Sequence, residues 1–346
     1  MTKVLVWVCF LFMFWASAQK TEFINLDHDI NDKNGLVKSL SIIDNRQNKD
    51  IGFIKDKHED VYIHFKEENI VDYIPNWFIK HNKKIGNNDI ILMLEELKVY
   101  DEQDSNKQYP YSKAKIKISG FLKRNDKYYF ISRFNHIIVC NPKTTSHPGK
   151  YLAKQISEVI LEFITTTYTV KVTGNYIPES GIFKYENYLV KNNKALFATE
   201  LKNGVYTSFK NFSEQEPSQK HKIIKNKKGK VVRLLNENNN VAFSEMYCYV
   251  ENGVGYKLTP VGFDEMKKDE KGFYIYTSRV NLFEDSKTNG AIIGAMSGGL
   301  VGALIGAAIE SGTNLSNGAI RGLGYKTTLE SNVYIDSLTG AYIFEK

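Results

Sequence analysis

In the first half of the chain the apolar residues repeat with two different periods. Ala114, Ile116 and Ile118 alternate with Lys113, Lys115 and Lys117, the period of two that marks a strand with one face on a core and one in water. This predicts a strand over Ser112–Leu122 and makes the lysine row a solvated face. Asp89–Asp101 and Lys127–Cys140 read as strands on either side of it. Shorter extended runs fall at Leu36–Ile43, Ile51–Ile54 and Val61–Phe65, after a turn at Asp32-Lys33-Asn34-Gly35. Helical spacing replaces alternation in two places. Glu67–Lys80 carries Ile70, Val71, Ile74, Trp77 and Phe78 on one side, with Pro75 set to kink or shorten the helix. Leu152, Ile156, Val159, Ile160, Phe163 and Ile164 form the apolar stripe of a helix over Pro148–Thr166, with proline in its first turn.

The second half is richer in strands. Turn residues recur at Lys227-Lys228-Gly229, Asn236–Asn240, Glu251-Asn252-Gly253 and Glu270-Lys271-Gly272. Between them lie candidate strands Lys230–Leu235, Val241–Val250, Gly255–Leu258 and Phe273–Phe283, a spacing that predicts an antiparallel meander. Gly204–Pro217 reads as a short helix entering it, and Thr327–Asp336 with the turn at Thr339-Gly340 closes the chain with two more strands. The expected fold is therefore α+β. A small α/β sandwich (19–168), a mixed sheet with helices, precedes an antiparallel β-meander domain (169–346) that carries a Gly-rich helical insertion at 290–309.

Ahead of these elements, Lys3, the uncharged apolar run Val4–Trp15 and the small residues Ala16-Ser17-Ala18 form an export signal at 1–18. The run is about a dozen residues, short of the roughly twenty a spanning helix needs, so cleavage before Gln19 is expected. Cleavage removes Cys9 and leaves Cys140 and Cys248, for which one disulfide and two buried thiols are equally compatible. The formal charge of +7 is modest, with acids spread throughout, and does not indicate nucleic acid. The expected location is exported: periplasmic, outer-membrane-associated or extracellular.

The insertion needs its own physical account. Gly290–Ile309 is uncharged, and Gly290, Gly294, Gly298, Gly302 and Gly306 recur every fourth residue. As a helix it would be about 30 Å long, with a groove free of side chains against which another helix packs closely. Three uses compete: a membrane span, a peripheral membrane contact or self-association surface, and internal packing. If Phe273–Phe283 pairs with Thr327–Asp336, both ends lie on one side, which weighs against a single crossing.

Searches for chemistry return little. Ala295-Met296-Ser297-Gly298-Gly299 is a loose nucleophile elbow, but no histidine follows His221, so the hydroxyl has no base in the required order. Asp27-His28-Asp29-Ile30-Asn31-Asp32 lacks the glycine and the closing glutamate of a calcium loop. No HExxH or CxxC occurs, Gly322–Thr327 fails as a phosphate loop, and His136 reads as a core residue. Glu95 and Glu96, as neighbours on a strand, should point to opposite faces. No cofactor is expected. Lys220, Lys222, Lys225, Lys227, Lys228, Lys230 and Arg233 form the densest basic stretch, a solvated hairpin or a contact for anionic lipid or polysaccharide.

The run Asn203-Gly204-Val205-Tyr206-Thr207-Ser208-Phe209-Lys210-Asn211-Phe212, with Pro217 and the Tyr-rich strands that follow, resembles exported Gram-negative proteins of unknown function with a C-terminal glycine-zipper-like segment, over about a third of the chain. The element order of the first half is similar to small α/β domains of envelope-transport auxiliary proteins. The resemblance implies an envelope location and no particular chemistry. The leading expectation is a non-enzymatic envelope protein acting as a homo-oligomer or at a membrane surface through the ladder. A glycan- or lipid-binding module and a carboxylate-based hydrolase are the alternatives.

Overall fold

A computed structural model describes residues 20–26, 35–82, 86–103, 109–141, 143, 145–168, 176–282 and 328–344. The export signal, the Asp27–Asp32 segment, the whole glycine ladder and Gly322–Thr327 lie outside the described residues. In chain order the first half contains β1 (Lys20–Ile24), β2 (Val37–Asp44), β3 (Phe53–Asp56), β4 (Glu59–Phe65), α1 (Ile70–His81), β5 (Asn88–Glu102), β6 (Tyr111–Arg124), β7 (Lys127–Cys140), α2 (Pro148–Thr167) and β8 (Ile177–Pro178). The five-stranded sheet has the order β2-β5-β6-β7-β8, parallel at β2–β5 and antiparallel elsewhere, and a smaller sheet has the order β1-β4-β3.

Helix α2 lies between these sheets. Leu152, Ile156, Val159, Ile160, Phe163 and Ile164 are all buried, each worth roughly 1.5–3 kcal/mol relative to exposure. The close approach explains Gly120 on β6, where an added Cβ would come within 3.0 Å of the Thr167 side chain. Pro75 does not end α1, which continues to His81. Its missing N–H forfeits one bond near the helix start, and Asn69 caps that start by accepting from Val71 N at 3.1 Å.

The second half contains β9 (Gly204–Tyr206), β10 (His221–Lys225), β11 (Val231–Asn236), β12 (Asn239–Val241), β13 (Cys248–Glu251), β14 (Val254–Thr259), β15 (Gly262–Asp269), β16 (Gly272–Ser278), β17 (Glu330–Ile335) and β18 (Tyr342–Ile343). β13 to β18 form the expected antiparallel meander, with β9 added beside β13, and β10–β11–β12 form a separate sheet packed on it. Three details depart from the sequence reading. Val241–Val250 is broken by a 3-10 turn at Phe243–Glu245. Gly262–Asp269 is an additional strand, and Phe273–Phe283 ends as a strand at Ser278 before a helical turn, Arg279–Leu282.

One apolar cluster joins the two halves, running from Ile24 and Leu26 through α2 to Tyr206, Phe212, Ile275, Val333 and Phe344. The helices α1 and α2 do not cover the other face of the five-stranded sheet. There Ile177, Ile182 and Tyr185 pack on Ile91, Met93 and Phe121. Of the lysine row of β6, Lys117 reaches Glu186 in this second layer, which corrects the expectation of a solvated face at that position, while Lys115 stays 39% exposed.

Candidate functional site

The chemistry of the covered sheet face begins with an irregularity in β5. Ile90, Leu92 and Leu94 point into the main core, and so do Leu97 and Val99. The change of phase marks a bulge between Leu94 and Glu96 in the pairing with β6. A bulge places two residues opposite one and re-aims their side chains. Glu95 and Glu96 therefore share the polar face, contrary to the expectation that they diverge. Glu95 Oε2 meets Lys117 Nζ at 3.1 Å and Glu96 Oε2 meets Lys115 Nζ at 2.9 Å.

Around Glu95 a polar network ties three strands to distant segments. Glu95 Oε1 accepts from Ser119 Oγ at 2.6 Å and from the Tyr185 hydroxyl at 2.9 Å. Lys117 Nζ also donates to Glu186 Oε1 at 2.6 Å. Arg133, on β7, pairs with the same Glu186 oxygen and reaches Asp336 Oδ2 through Nε at 2.8 Å and Nη2 at 2.7 Å. Burial alone would lower the Arg133 and Lys117 pKa values. Asp336 and Glu186 reverse that at Arg133, and Glu186 and Glu95 at Lys117, so both stay above their ordinary values. Burial would likewise raise Glu186, but Arg133 and Lys117 hold it below the usual carboxylate range. Burial keeps the Tyr185 hydroxyl protonated. The network is a set of compensated charges.

Beside it opens a cleft of about 570 Å³, between Glu95–Lys98 of β5 and the loop that follows β2. After Asp44 the chain leaves the five-stranded sheet for β3 in the smaller one. The loop touches β5 at two points, where Asn45 N donates to Leu94 O at 2.9 Å and Val99 N donates to Ile51 O at 2.6 Å. The cleft lies between these points. Gly52 makes the second approach feasible, since its φ of +101° and a Cβ position 2.5 Å from Val99 O both exclude a side chain. The loop is braced by Arg46, which pairs with Asp44 through Nε and Nη2, each at 2.9 Å, and donates to Lys49 O at 3.0 Å.

The basic stretch lies on β10, its turn and β11. Lys225 pairs with Glu251, and Lys220 meets Glu237 at 3.1 Å. Lys222, Lys227, Lys228, Lys230 and Arg233 are exposed, as are the neighbouring Ile224 and Val232. Lys225 sits by the hairpin turn, so the tip of this hairpin lies near the Asn252-Gly253 turn. The chain leaves and re-enters the meander for the segment containing the ladder at the opposite end, where Ser278 of β16 pairs with Glu330 of β17.

Other groups find structural places. Cys140 and Cys248 are free and buried, which decides between thiols and a bridge. His136 is a core residue; burial and nearby Arg279 lower its pKa to about 3. Glu158 and Glu162 sit on successive turns of α2, and burial with the Glu158 charge raises Glu162 to about 7. Among the described residues this carboxylate pair resembles an acid–base couple. It lines neither the 570 Å³ cleft nor the shallower one of about 370 Å³ at Tyr73, Trp77 and His81. Sequence inspection missed Lys257, fully buried beneath Tyr247 with its Nζ 3.9 Å from the ring centre. Burial lowers its pKa to about 7. The alternation of β14 placed it on an inward position, which was the available signal.

Among the described residues no group of His, Cys, Asp and Glu could hold a metal ion, and no helix is long and apolar enough to cross a membrane. Compared with family models, with curated proteins and with solved structures, the chain matches none.

Proposed function

We propose that the protein is an exported envelope component that acts by association, with its own copies or with a membrane surface, through the glycine ladder Gly290–Ile309. The observation that carries this reading is the pairing of Ser278 with Glu330. It brings the two attachment points of the insertion together at one end of the meander. Twenty residues cross a bilayer once and cannot return, so a closed stem favours a groove presented to a partner or laid on a surface. Val261 and Leu329, at the same end, are 48% and 46% exposed. The stem itself is held by buried Arg279, whose guanidinium lies 4.6 Å from the Phe344 ring centre.

The test compares the mature chain, the same chain lacking 290–309, and a Gly294→Leu/Gly302→Leu variant. The intact chain is expected in the membrane fraction or as an oligomer, with the deletion a folded monomer. Leucines fill the groove but raise hydrophobicity, so they abolish self-association and strengthen membrane partition. If both the intact and deleted chains are soluble monomers, the reading is wrong.

A second reading, binding of anionic lipid or polysaccharide by the basic hairpin, is favoured by the exposed face of Lys222, Ile224 and Arg233. Such a contact is made by the hairpin alone and would survive deletion of the ladder.

A further inference from the structure

We infer that the cleft between the Asn45–Gly52 loop and the Glu95 bulge binds a neutral polyhydroxyl ligand, a short oligosaccharide. The proposal goes beyond association through the ladder and stands without it. At about 570 Å³ the cleft is within the size range of small-ligand sites. Its walls mix acceptors and donors: the carboxylates of Glu95 and Glu96 on one side, the amides of Asn45, Gln47 and Asn48 on the other. Hydroxyl groups, which both donate and accept, suit such a lining.

Charge decides the class of ligand. Glu95 is compensated by Lys117, Glu96 by Lys115 and Arg46 by Asp44. Over the whole lining Arg46, Lys98 and Lys117 balance Asp50, Glu95 and Glu96, so an anion or a cation gains no net attraction and at Glu95, Glu96 or Arg46 has to compete with an existing ion pair. A neutral hydroxyl does not, because each carboxylate keeps lone pairs that its lysine leaves unused. The wall is also fixed before binding. Glu95 is held by buried Ser119 and Tyr185, and the loop by Arg46 and its contacts at Leu94 and Val99. A shell locked by its surroundings spends less ordering entropy on its ligand.

The test titrates the mature full chain with maltotriose, cellotriose, mannotriose and triacetylchitotriose by saturation-transfer NMR, with trigalacturonate and spermidine as charged probes. Glu96→Gln and Asn48→Ala are compared with the parent, and thermal unfolding reports folding. The Glu96–Lys115 pair is partly exposed, so its loss leaves the fold intact. Binding of a neutral trisaccharide that weakens about tenfold or more in both variants, at unchanged melting temperature, is the expected result. The assignment is overturned if no neutral trisaccharide binds, if binding is indifferent to both substitutions, or if a charged probe binds more tightly than every neutral one.

Discussion

Each half of the molecule buries a cation, and they settle its charge in opposite ways. Arg133 on β7 is enclosed with Asp336 and Glu186, and these neighbours hold its pKa above the ordinary value despite burial. Lys257 on β14 is buried among aromatic rings and a backbone carbonyl. Its Nζ lies 3.9 Å from the centre of the Tyr247 ring and 5.4 Å from that of Tyr342, and donates to Tyr247 O at 3.5 Å. Aromatic faces and a carbonyl attract a cation, but burial outweighs them and the pKa falls to about 7. Burial alone therefore says little about the state of a group; what matters is how far the groups buried with it offset the loss of water.

The largest effect is expected where that partner is taken away. Asp336→Asn keeps the oxygen that accepts from Leu338 N at 2.9 Å and Thr339 N at 3.0 Å, so the turn survives while Arg133 loses its main compensation. Stranding a buried charge costs about 3–5 kcal/mol, to be read from urea unfolding at pH 7. Adding Arg133→Met should recover part of the loss. A cost below about 1 kcal/mol would mean that water or Glu186 already carries the charge.

At Lys257 the sign reverses. Lys257→Met should stabilise the protein by on the order of 2–4 kcal/mol at pH 6, since an amine whose pKa is about 7 when folded and 10.5 ordinarily is penalised while protonated. Between these values the unfolded chain binds more protons than the folded one, so parent stability rises with pH across that window. The advantage of the variant should fade as pH climbs from about 7 toward 10. A gain that does not change with pH would assign the effect to packing.

How these sites came to be hidden or visible in the sequence follows from what makes them. Local periodicity was enough for α2, for the core face of β6 at Ala114, Ile116 and Ile118, and for the meander. The pairing of β16 with β17, which the sequence reading raised only as a condition, is present. Local periodicity could not say what covers a second face. Arg133 meets Asp336 across 203 positions, and the Ile177–Tyr185 layer has too short a pattern to announce itself. The bulge was legible in principle, because Leu92 and Leu94 break phase with Leu97 and Val99; reading through the break sent Glu95 and Glu96 to opposite faces. Gly262–Asp269 was passed over because it is strongly charged, and only Met266 in it is buried.

The smallest effect sharpens the contrast inside one strand. Lys115 and Lys117 belong to the same row, yet Lys115 is 39% exposed and pairs with half-exposed Glu96, while Lys117 is 22% exposed and shared between Glu95 and Glu186. Water already solvates the first pair, so Lys115→Ala should cost less than about 0.5 kcal/mol and less still in high salt. Lys117→Ala withdraws compensation from two carboxylates under the Tyr185 layer and should cost several times more, about 1–3 kcal/mol. Equal costs, measured by urea unfolding of the two variants side by side, would place both lysines in one environment. The covering layer would then end elsewhere than between them.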